Sequence, residues 1–69
     1  MRDSGSRFYV YLLTNADNPY EGIIRVDVEV LPDARKLSEF ATREEADAFA
    51  PAAAVGFQSA GMIVAYDPN

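Results

Sequence analysis

The chain has 69 residues, eleven acidic side chains against six basic ones and a net charge of −5, with no histidine, cysteine or tryptophan. These absences exclude disulfide stapling, thiol nucleophiles, imidazole proton shuttles and the usual structural zinc sites. A chain this short buries only ~60% of the surface its unfolded form exposes, so tight packing or self-association must support a thin margin of stability.

Residues 1–6 are small and polar and read as a disordered N-terminus ahead of one domain over residues 7–69. They lack the basic-then-apolar order of a secretory signal. No window approaches the ~20 apolar residues needed to cross a bilayer, so the expectation is a cytoplasmic protein without membrane contact.

Residues 8–13, rich in aromatic and branched side chains, form the first predicted strand. Alternation puts Phe8, Val10 and Leu12 on one face and Tyr9, Tyr11 and Leu13 on the other. Residues 15–19, closed by Asn18-Pro19, follow as a loop. Gly22 then opens the clearest strand, residues 22–30. There Ile24, Val26, Val28 and Val30 alternate with Arg25, Asp27 and Glu29, the pattern of one buried and one wet face. Pro32 fixes a turn over residues 31–34, and a shorter third strand is expected over residues 35–40.

Thr42 and Glu45 are spaced as a capping box that starts a helix. Ala46, Phe49, Ala50 and Ala53 are expected to line its buried face. Pro51 is expected to kink or break it, and Gly56 to end it. Residues 62–66 make the last strand. The fold class is therefore α+β: a mostly antiparallel sheet of three or four strands with one helix on one face, in the order β-β-(β)-α-β. The core expected from these elements is Phe8, Val10, Leu12, Ile24, Val26, Val28, Val30, Phe40, Phe49, Phe57 and alternate residues of 62–66.

One helix covers one side of a sheet, which leaves Tyr9, Tyr11 and Leu13 beside Arg25, Asp27 and Glu29 on an open face. Tyrosine is enriched in interface hot spots, although cross-strand packing explains a tyrosine pair equally well. Asp27 and Glu29, two apart on a strand, would lie ~7 Å from each other. Such a pair can serve acid–base chemistry, but a solvated face with Arg25 paired to Asp27 is the far stronger reading. The four serines have no histidine to activate them. Asp17, Asn18 and Glu21 do not match a calcium loop and read as an ordinary turn. Catalysis, metal and cofactor are not expected.

Every basic residue lies at or before Arg43, so residues 44–69 carry Glu44, Glu45, Asp47 and Asp67 without a cation. Such a surface repels nucleic acid directly and suits a basic protein groove. Glu44, Glu45 and Asp47 are also explained by the helix dipole alone. In size, acidity and lack of catalytic side chains the whole chain resembles the small acidic phage-encoded anti-CRISPR inhibitors, a likeness of composition rather than of motif. The resemblance implies a partner such as a CRISPR surveillance complex in the host cytoplasm, blocked by protein–protein contact or partial nucleic-acid mimicry. The partner-binding candidates, taken from the strand and helix reading, are Tyr9, Tyr11, Asp27, Glu29, Glu44, Glu45 and Asp47. The alternative is a small structural or regulatory module that dimerises through its open face or an edge strand, burying Leu13, Ile23 and Leu31.

Overall fold

The computed structural model describes residues 7–68, so the expected disorder of residues 1–6 lies outside the described residues. Four strands and one helix follow in order: β1 (Phe8–Thr14), β2 (Glu21–Asp27), β3 (Arg35–Phe40), α1 (Arg43–Ser59) and β4 (Ile63–Asp67). The sheet order is β3-β1-β2-β4. Strand β1 pairs antiparallel with both β2 and β3, whereas β4 joins the far edge parallel to β2. The expected class holds: α+β with a mostly antiparallel sheet, here closed by one parallel edge. Helix α1 carries the chain from one edge strand to the other, so it lies across β1 and β2 on the way.

The buried layer between helix and sheet consists of Val10, Leu12, Ile24, Val26 and Val64 from the strands with Ala46, Ala50 and Ala54 from the helix. Alanines spaced four apart form a narrow stripe that lets the helix backbone approach the sheet. Larger side chains close the rim, including Phe40 and Phe49, whose ring centroids are 5.4 Å apart. Ala54 rather than Ala53 completes the stripe; Ala53 is only half-buried.

Several expectations are corrected. Strand β2 stops at Asp27, and Val28 and Val30 are 56% and 69% exposed rather than part of the core. The pairing of β1 with β2 ends at Tyr9↔Asp27 even though Phe8 still belongs to β1, so β2 leaves the ladder at Asp27. The Asp27 carboxylate instead accepts the Glu29 amide at 3.0 Å and turns the chain out of the sheet. The turn at Pro32 forms as expected, with the Ala34 amide donating to the Leu31 carbonyl at 3.2 Å.

Pro51 does not break the helix, which runs through it to Ser59. Gly56 does not end it either. The ending belongs to Gly61, whose φ of 96° is open only to glycine at low cost. The Gly61 amide donates to the Gln58 carbonyl and the Met62 amide to the Phe57 carbonyl, both at 3.0 Å. This is a Schellman ending, with Met62 and Phe57 together against the core. At the other end Thr42 is the N-cap, accepting the Glu45 amide at 3.2 Å while its hydroxyl donates to the Glu45 carboxylate at 3.1 Å. The expected capping residues are thus in place, with the hydroxyl of Thr42 joining the two.

Candidate binding surface

The face of the sheet turned away from α1 falls into three zones. Beside β3, Glu39 accepts from Lys36 at 2.7 Å and from Arg7 at 3.0 Å. The Lys36 ammonium also stands 5.7 Å from the centroid of the Tyr9 ring. Hydrogen bonding to Lys36, followed by its charge, holds the Glu39 carboxyl below the ordinary glutamate range. The same contact raises Lys36. Strand β3 carries a bulge here: Val10 faces Ser38 but Tyr11 faces Lys36, leaving Leu37 as the extra residue.

In the middle zone Tyr11 is 1% exposed. Its hydroxyl donates to the Glu29 carbonyl at 3.0 Å and accepts the Leu31 amide at 2.9 Å. The connection after β2 is thereby strapped over this part of the sheet, which is covered rather than open. Tyr9, half-buried, packs against Tyr11 with ring centroids 6.1 Å apart.

The third zone is apolar. Leu13, Ile23 and Ala65 share this face with Ile63, as the registers Leu13↔Ile23, Ile23↔Ala65 and Glu21↔Ile63 require. Ile23 is 45% and Ile63 66% exposed. They line a shallow depression of about 510 Å³ whose polar wall includes Glu21 and Asn15. Gly22 lies beneath it, its α-carbon so close to β1 that a Cβ would stand 2.8 Å from the Leu13 carbonyl oxygen. The adjoining loop satisfies itself: Asn15 and Asn18 accept the amides of Asp17 and Tyr20 at 2.8 and 3.1 Å. A second depression, of about 600 Å³, opens between this loop and the end of α1, beside Tyr20, Phe57 and Met62.

The sequence-predicted residues do not converge. Tyr9, Asp27 and Glu29 lie on or over the open face, but Glu29 sits in the strap rather than on a strand with Asp27. Tyr11 is a structural anchor, and its predicted accessibility is overturned. Arg25 approaches Asp67, at 3.8 Å, instead of pairing with Asp27. Glu44 and Glu45 are exposed in the first turn of α1, on the other layer. Asp47 accepts the Tyr66 hydroxyl at 3.1 Å and lies 3.6 Å from Arg43. Burial, then that carboxylate, raises the Tyr66 hydroxyl above its ordinary value. Ile63 escaped the sequence reading because residues 62–66 alternate without revealing which strand they join.

Basic residues are concentrated towards the β3 side of the sheet, with Arg25 of β2 the exception. Arg7, Arg35 and Lys36 stand on or beside β3, whereas β4 and the helix after Arg43 contain no lysine or arginine of their own; Asp67 is approached by Arg25 of β2 and Asp47 by Arg43. No family model, curated protein or solved structure matches the chain.

Proposed function

We propose that this protein is a non-enzymatic, protein-binding inhibitor that occludes a basic, nucleic-acid-binding surface of a partner complex, acting as the anti-CRISPR proteins it resembles in composition do. The observation that carries this reading is the exposed apolar zone of Ile23 and Ile63, walled by Glu21. Exposed apolar surface beside carboxylates suits a partner with an apolar centre and a basic rim. The lack of cysteine, and of any histidine to activate the serines, argues for binding rather than turnover. Action on such a complex places the protein in the host cytoplasm.

Capture by tagged protein from a bacterial lysate, eluted with duplex nucleic acid and separately with salt, tests this. Release of a nucleic-acid-binding complex by nucleic acid is the expected result. A partner that stays bound under both treatments would overturn it.

Self-association is the second reading, favoured by the exposed Ile63 on the outer strand β4. Analytical ultracentrifugation distinguishes it by a concentration-dependent mass. The net charge of −5 on each copy weighs against it.

A further inference from the structure

The two edges of the sheet resist further pairing by different means. Along β3 a bulge opposite Val10 and Tyr11, with the cations Arg35 and Lys36, interrupts the edge. Strand β4 has neither device, and its ladder with β2 runs unbroken from Glu21↔Ile63 to Arg25↔Asp67. The Ile63 amide donates inward to the Tyr20 carbonyl at 2.7 Å. Alternation therefore turns the backbone groups of Ile63 and Ala65 towards β2, and those of Val64 and Tyr66 outwards. Beyond these two residues the edge offers no donor. The Met62 amide is held by the Phe57 carbonyl at 3.0 Å, and Pro68 has no amide.

Within that short window Gln58 decides whether a ladder can form. Its side-chain amide donates to the Val64 carbonyl at 2.6 Å. An antiparallel neighbour bonds to alternate residues of an edge, exchanging an amide and a carbonyl with each. With the Val64 carbonyl occupied, only Tyr66 offers both groups. With it free, Val64 and Tyr66 offer consecutive pairs, and a second copy can meet them across a two-fold axis at Ala65. Val64 of each copy then faces Tyr66 of the other.

We infer that Gln58 is an edge guard that keeps β4 from pairing with a second copy of this chain. The inference goes beyond the inhibitor reading and does not depend on it. The guard is a local contact: Gln58 and Val64 are six residues apart, joined through the turn at Gly61. Pairing of β4 with β2 instead joins Ile63 to Glu21, across most of the chain, at a larger loop-closure cost. The cap can thus form before the edge has joined the sheet, when unpaired strands are most prone to mispair.

The test compares the full chain with Gln58→Ala and Gln58→Met. Both remove the donor, methionine keeps the length of the side chain, and neither weakens the helix. Sedimentation mass and amide exchange are followed over rising protein concentration. In the wild type the Val64 and Tyr66 amides should exchange freely throughout. Each variant, native in spectrum when dilute, should approach twice the wild-type mass, with Val64 and Tyr66 gaining protection in step. Variants that keep the wild-type mass and exchange at every concentration would overturn the guard. So would association of a variant with both amides still open, which would place the contact on the apolar face of Ile23 and Ile63. Concentration-dependent protection of the same amides in the wild type would overturn it as well.

Discussion

The Tyr11 hydroxyl sits between two backbone groups of the same connection, giving its proton to the Glu29 carbonyl and accepting the Leu31 amide. One buried side chain thus fixes a seven-residue strap, residues 28–34, that has no ladder of its own. Tyr11→Phe keeps the ring and loses both bonds. The expected cost is about 1–3 kcal/mol in denaturant unfolding, with faster exchange at the Leu31 amide. Unchanged stability and exchange would show that the strap is held otherwise.

Strand β1 and strand β2 approach so closely at Gly22 that no methyl fits without movement of the Leu13 carbonyl. Gly22→Ala should therefore destabilise the protein by about 1–3 kcal/mol, as overpacking does. Because Gly22 lies under the apolar depression, the substitution should also shift the amide resonances of Leu13 and Ile23.

Helix α1 contains two residues that weaken it without serving the core. Pro51 is exposed and leaves the Asp47 carbonyl without its helical donor, and Gly56 has open space where a Cβ would go. Pro51→Ala should stabilise by up to about 3 kcal/mol and Gly56→Ala by about 1 kcal/mol, both read as raised melting temperatures. A fall in melting temperature for either would mean that the helix depends on the native residue there.

Glu39 and Lys36 titrate as a linked pair. A lowered carboxyl adds stability above its unfolded value and loses it as pH falls through the lower folded one. A raised ammonium adds stability below its unfolded value and loses it as pH rises through the higher folded one. The pair is thus complete between about pH 5 and 10. Lys36→Ala should move the Glu39 carboxyl titration upwards in a carbon-detected NMR experiment. An unmoved titration would show that Arg7 alone sets it.

Much of this fold is readable from local pattern. Period-two alternation identifies β1 and most of β2, and the spacing of Thr42 and Glu45 marks the helix start. Where the reading fails, a non-local term decides. Val28 and Val30 continue the alternation of β2, but the Asp27 carboxylate takes the Glu29 amide and the buried Tyr11 hydroxyl holds Glu29 and Leu31, which draws the chain out of the ladder. Gly56 looks like a stop, yet the stop requires a left-handed residue at the place where the chain turns back to β4, and Gly61 supplies it. Tyr11 looks accessible from its strand position because nothing local shows that residues 28–34 fold over it. The apolar zone depends on β4 lying beside β2, a pairing across the whole sheet that neither strand specifies alone.

The most direct test of the account is a side-by-side capture from bacterial lysate by the wild-type chain and by Ile63→Lys, with nucleic-acid elution and circular dichroism to establish that both are folded. The account predicts a basic, nucleic-acid-binding complex on the wild type, released by duplex and missing from the variant. Equal capture by the variant, or a partner indifferent to nucleic acid, would contradict it.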